Sequence, residues 1–157
     1  MAREREMDFF KTARDAGTRF ATTETDSDRQ LEQLVLNLTT LHNDFFNGID
    51  RSMIYVVMSD TAYSRLRSTL NREMHRPNVD TAAENFVEHI GVKIFSSTYL
   101  PYDVDMVAMV KGAIAHPSLV IPYSVRQNPY SDAKLLRTSY VLTATAVMPD
   151  AIFWKGV

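Results

Sequence analysis

The residues of this sequence that offer chemistry are four histidines, two closely spaced aspartates and a group of arginines. His42, His75, His89 and His116 do not fall in pairs at metal-ligand spacing. His42 sits on the apolar stripe of a helical pattern and reads as a satisfied core or interface histidine. His89 follows Glu88, but sequence neighbours point to different faces of a helix. Asp103 and Asp105 lie two apart in a stretch that reads as a loop. Two carboxylates suit a hard cation, yet the further oxygen ligands and the glycine of a calcium loop are missing, so they read as solvated loop acids. The sequence contains no cysteine, no HExxH and no GxSxG. Thiolate chemistry, a zincin and a nucleophile elbow are therefore unsupported. The five glycines, Gly17, Gly48, Gly91, Gly112 and Gly156, are too dispersed to build a phosphate-cradling loop. An enzyme with a site assembled from distant residues stays as an alternative, to be recognised by a deep polar pocket with convergent ionisable groups.

The arginines carry a more definite pattern. Arg65, Arg67, Arg72 and Arg76 fall on or just after one helical segment. Three of them, Arg65, Arg72 and Arg76, lie within about 20° of one line along the helix. Such a stripe suits phosphates or the carboxylates of a neighbouring subunit, and equally a solvated helix face. The net charge of -2 and the pI of about 6.1 argue against general affinity for nucleic acid.

The elements that would position these groups follow from spacing. Met1 to Thr25 reads as an arm or short helix that needs another surface, or as a frayed terminus. Its charged start is unlike a signal peptide, and no apolar stretch approaches the roughly 18 residues that span a bilayer. Together with the lack of cysteine, this suggests a soluble protein made inside a cell. Ser27 to Asn47 predicts a helix, with Ser27 and Gln30 at capping-box spacing, an apolar stripe from Leu31 to Phe45, and Gly48 as its C-terminal cap. Met53 to Met58 predicts a strand buried on both faces. Ser59 and Asp60 cap a second helix over Thr61 to Met74, with Ala62, Tyr63, Leu66, Leu70 and Met74 inward and Pro77 ending it. A further short helix is expected within Asn78 to Ile90. Val92 to Phe95, Val104 to Ala115, Ser139 to Met148 and Ala151 to Trp154 read as strands. Pro117, Pro122 and Pro129 argue against long regular structure between Ala115 and Leu136. The class is α+β, with residues 1-26 as an N-terminal arm or short helix and 27-157 as one domain.

Three segments, in order, resemble one family. Tyr55-Val56-Val57-Met58-Ser59-Asp60-Thr61-Ala62-Tyr63-Ser64-Arg65-Leu66 is similar to a strand, small or acidic turn and helix found in major capsid proteins of tailed bacteriophages. Gly91-Val92-Lys93-Ile94-Phe95-Ser96-Ser97-Thr98-Tyr99-Leu100-Pro101 resembles that family's glycine, short strand and Leu-Pro stretch. Val147 to Gly156 is similar to its closing strand. The resemblance covers Ser27 to Val157 and implies a phage-capsid-like fold with a spine helix at Ser27–Asn47, a central mixed sheet and short flanking helices. Encapsulins share this fold. Only 26 residues precede Ser27, too few for the family's usual N-terminal arm and long hairpin loop together.

The resemblance implies a non-enzymatic shell subunit that needs no cofactor, no metal and no catalytic residue. Its partners would be copies of itself in rings or shells, other capsid proteins, and packaged nucleic acid through non-specific contact. No membrane is involved. The location would be the virion, with assembly in the host cytoplasm. A capsid-derived protein that binds capsid subunits and modulates their assembly is the alternative. Candidate subunit contacts are Arg65, Arg72 and Arg76 on the helix and Tyr123, Arg126 and Tyr130 on loops, because interfaces draw on aromatic and arginine side chains.

Overall fold

The computed structural model describes residues 2–73, 88–127 and 129–157. Helix α1 (Ala2–Ala16) leads into strand β1 (Thr18–Phe20). Helix α2 (Ser27–Thr39) follows, then a 3-10 turn at Arg51–Met53, strand β2 (Ile54–Met58) and helix α3 (Asp60–Glu73). Next come β3 (Glu88–His89), β4 (Val92–Ser96), β5 (Val104–Val110) and β6 (Ile114–Ala115). The chain closes with β7 (Ser118–Gln127), β8 (Lys134–Leu142), β9 (Thr145–Ala146) and β10 (Ile152–Gly156). This is an α+β fold, as the residues imply. The expected short helix within Asn78 to Ile90 falls mainly outside the described residues. Its last described part is a strand, β3.

Six strands form one mixed sheet in the order β1-β10-β5-β2-β4-β3. β1 runs parallel to β10 and β2 parallel to β4, while β5 is antiparallel to both its neighbours. On one face α2 lays Leu31, Leu34, Val35 and Leu38, and α3 lays Ala62 and Leu66, against Ile54, Val56 and Met58. On the other, Ala13 of α1 joins Val107, Met109 and Ile152. α1 packs on β5, β6, β9 and β10. The stretch Ala2–Ala16 is thus a helix with a surface to rest on. Gly17 lets that helix end against the sheet: a Cβ there would lie 2.6 Å from the carbonyl oxygen of Ala13 and 2.7 Å from Ile152 Cγ2.

Burial corrects one strand assignment. β5, rather than β2, is closed on both faces along its length. In β2, Ile54, Val56 and Met58 are buried and Tyr55 and Val57 are half-buried. The cause is the placement of α1 over the β5–β10 half of the sheet. On the uncovered half the rings of Tyr55 and Phe95 lie 6.1 Å apart.

Two other corrections concern α2. Its N-cap is Asp26, whose side chain accepts from the Asp28 N–H, while the Gln30 side chain donates to the Glu24 carbonyl. The helix stops at Thr39, because the hydroxyls of Thr39 and Thr40 donate back to the Leu36 carbonyl and the chain turns. Gly48 therefore closes a loop, donating to the Leu41 carbonyl, instead of capping the helix. Ser59 caps α3 as expected, its hydroxyl accepting from the Ala62 N–H at 3.2 Å.

The largest departure is the proline-bearing stretch. β7 and β8 form a long antiparallel hairpin despite three prolines. Pro117 precedes β7, and Pro129 lies in the connecting turn. Pro122 lies where the register slips, between the pairs Ile121↔Ser139 and Ser124↔Arg137. Two residues there oppose one, a bulge in which no ladder N–H is demanded of proline. The strand expected over Ser139 to Met148 is accordingly divided: β8 ends at Leu142, and Thr145–Ala146 pairs with β6.

Candidate subunit-contact surface

Asp105 is the second residue of β5, and its side chain is buried at 5% exposure. It is no solvated loop acid. One carboxylate oxygen accepts from Arg65 of α3 at 2.9 Å and from Lys155 Nζ of β10 at 3.1 Å. The other accepts from the Ser59 hydroxyl at 3.4 Å, and the Asp105 carbonyl accepts from the Ser59 N–H. A buried carboxylate must be paired, and this one ties three elements at one end of the sheet. A cleft of about 430 Å³ opens beside it between the start of α3 and the loop from Ser97 to Val104. Of the ionisable groups that line it, Asp105 and Arg65 are bonded to each other, and Asp60 stands with them. Arg65 still keeps its side chain 50% exposed and reaches solvent there.

The opposite end of the sheet is fastened differently. Arg51 donates to Glu32 of α2 at 2.8 Å and to the Ile90 carbonyl at 2.7 Å. Glu32 holds the Arg51 guanidinium more firmly protonated than usual. His89 pairs with Asp28 at 2.6 Å, so its partner lies on another element and not beside it in sequence. Asp50, accepting from the Ser52 N–H, is held below its ordinary value by that bond. Arg14 is raised by Asp103 first and Asp15 second, which fixes α1 to the loop before β5. Among the described residues no cluster of histidines and carboxylates could hold a metal.

Of the predicted contact residues, Arg126 and Tyr130 lie on the β7–β8 hairpin, Tyr130 at its turn with 94% exposure. Tyr123 is on β7, at the bulge; its side chain lies outside the described residues. The hairpin brings these three positions onto one element. Leu119 pairs directly with Val141 and both are exposed, as is Val125 beyond the bulge. None of its described side chains joins either core cluster. Arg65 and Arg72 are both on α3, as the spacing implies, with the Arg72 side chain outside the described residues, as is all of Arg76. Arg65 and Arg72 thus lie on one element and Tyr123, Arg126 and Tyr130 on another.

Sequence reasoning misplaced His42 and Phe45. Both were assigned to the buried stripe of α2, and both are exposed on the loop after it. Asn43 organises this loop. Its side-chain oxygen accepts from the Phe45 and Phe46 N–H groups at 2.9 and 2.7 Å, and its own N–H donates to the Phe46 carbonyl. Phe46 packs on the core while Phe45 points out at 86% exposure. The signal was present as Asn43-Asp44, a pair that favours turns over helix.

No protein-family model matches the sequence, and no curated protein matches it. Solved structures do share the fold. A chain from Mycobacterium phage Che8 superposes with a TM-score of 0.62 at 16% identity, covering 98% of this chain and 55% of that one. The capsid structure of the cyanophage P-SCSP1u gives 0.62 at 12% identity, covering 96% and 59%. The mature capsid of bacteriophage PhiM1 gives 0.52 at 13% identity, covering 96% and 58%. The chain has a phage-capsid-like fold, and it spans a little over half the length of the chains it matches.

Proposed function

We propose that this protein is a structural subunit that associates with copies of itself to form, or contribute to, a phage-like shell in the virion, put together in the host cytoplasm. The capsid fold supports a structural role, and no catalytic step is part of it. The observation that carries self-association is the β7–β8 hairpin. A two-stranded hairpin is marginal in water by itself, and three strands or a packed face are needed for stability. This one has nine- and ten-residue strands and exposes Leu119, Val125 and Val141. Covering those residues with a neighbouring subunit removes apolar surface from water and supplies the missing packing. Arg65, Arg72, Arg76, Tyr123, Arg126 and Tyr130 contribute contacts around it, with any touch on packaged nucleic acid secondary and sensitive to salt.

The test is sedimentation velocity with negative-stain electron microscopy on the whole chain. Wild-type protein is expected to grow into rings or shells as concentration rises. The double variant Leu119→Asp, Val141→Asp is expected to lose shells; because the two carboxylates stand opposite each other and repel across the hairpin, a thermal melt checks that the rest of the fold persists. A monodisperse single subunit at every concentration would sink the proposal.

A second reading is a capsid-derived companion that binds capsid subunits and modulates their assembly. Mixing it with a full-length capsid protein separates the two. Arrest or altered particle size favours the companion, and unaffected assembly favours the independent shell subunit.

A further inference from the structure

Of the seven asparagines in the chain, only Asn47 is followed by glycine. That pair has a chemistry of its own. The backbone nitrogen after an asparagine lies one ring closure away from the carboxamide carbon, and a glycine puts no side chain in the path of the attack. Asn47 is exposed on the loop between α2 and β2, and among the described residues no hydrogen bond holds its carboxamide. The loop itself demands the glycine. Gly48 has a φ of +79°, and a Cβ there would lie 2.9 Å from the Thr39 carbonyl oxygen. The fold thus requires the residue that leaves Asn47 open to attack.

The same loop restrains the nucleophile. The Gly48 N–H donates to the Leu41 carbonyl at 2.8 Å, and the Asn43 N–H donates to the Phe46 carbonyl at 2.9 Å. These two bonds make the bridge between His42 and Asn47 that closes the loop. Asn43 fixes the tip, its side chain accepting from the Phe45 and Phe46 N–H groups. A nitrogen that donates its proton to a carbonyl must give up that bond before it can lose the proton and attack. Giving it up opens the neck of the loop.

We infer that Asn47–Gly48 is a site of spontaneous deamidation and that the closed loop holds the reaction in check. The Gly48 nitrogen, its proton removed by hydroxide, attacks Cγ of Asn47. The new N–Cγ bond closes a five-membered succinimide, and the Cγ–Nδ2 bond breaks to release ammonia. Water then opens the ring. Opening at Cγ leaves aspartate. Opening at the backbone carbonyl leaves isoaspartate, whose main chain runs through the side chain and gains one carbon. The net change is amide plus water to carboxylate plus ammonium, with nothing oxidised or reduced. Either product adds a negative charge to a stretch that already exposes Asp44 and Asp50. Isoaspartate also lengthens the chain between the Phe46 carbonyl and the Gly48 N–H, the two groups that this strand of the bridge supplies. The reaction therefore unmakes the loop that holds Phe45 in water at 86% exposure. Its rate follows the fraction of time the neck is open.

The experiment keeps the whole chain in warm, mildly alkaline buffer, dilute enough that no second copy covers the loop. Peptide mapping by mass spectrometry over several days follows the conversion of amide to acid and separates aspartyl from isoaspartyl products. Asn47 is expected to convert ahead of the other asparagines, at least about tenfold more slowly in the folded chain than in urea. Asn43→Ala removes the bonds at the tip and should move the folded rate toward the denatured one, with circular dichroism checking the rest of the fold. Asn47→Gln, which would need a six-membered ring, should stay intact at that position. An Asn47 that survives in the denatured chain would overturn the site. Equal rates in folded and denatured chain, or no acceleration by Asn43→Ala, would overturn the restraint by the loop.

Discussion

At the residue scale, Asp105 is the position where a small change has the widest reach. Its carboxylate holds a cation from α3 and another from β10. Lys155 is the more enclosed of the two, with its side chain 13% exposed. Asp105→Asn preserves shape but removes the charge, leaving an ammonium in a mostly dry site. Breaking a buried ion pair from one side costs about 3 kcal/mol or more. Urea denaturation of Asp105→Asn should show that loss. Adding Lys155→Met removes the stranded charge and should restore part of it, because Arg65 can turn to solvent. No recovery in the double variant would mean that the shape of the network, not its charge balance, holds the three elements. The same scale shows why the site was only partly legible. Arg65 announced itself by type and helical spacing. Asp105 did not, since an Asp-Val-Asp run after a proline reads as loop, and only the seating of β5 between two strands buries it.

At the element scale, apolar periodicity identified α2, α3, β2, β4 and β10, each of which buries a stripe or an alternate face in a core. It failed where local chemistry or a distant partner decided the outcome. Thr39 and Thr40 end α2 although the apolar spacing runs on to Phe45. The β7–β8 hairpin was obscured because prolines usually break strands, and here they fall before the strand, at a bulge and in the turn. None of that hairpin's described side chains joins a core cluster. Local openings are cheapest where few apolar contacts resist them. Its backbone amides from Leu119 to Gln127 should exchange with solvent quickly in dilute protein, while those of β5 stay protected. On association they should slow by at least about tenfold. Hydrogen exchange read by mass spectrometry at low and high concentration makes the comparison. Equal rates in both states would show that the hairpin is not what the neighbouring copy covers.

At the scale of the whole molecule, a closed shell requires two kinds of contact, one that joins copies into a ring and one that joins rings. Two surfaces are proposed for these contacts. One is helix α3, which carries Arg65 and Arg72. The other is the hairpin, none of whose described side chains joins either core. Surfaces that share no residues contribute independently, so their losses should add instead of masking each other. Electron microscopy of single and combined variants reads this directly. With the hairpin pair Leu119→Asp, Val141→Asp, small α3-linked species should persist but not grow into shells. With Arg72→Glu and an intact hairpin, small hairpin-linked species should remain. With all three changes the protein should stay a folded monomer. If both single-surface variants stopped at the same species, hairpin and α3 would be parts of one interface. The two-contact scheme would then give way to a subunit that needs a different partner to close a shell.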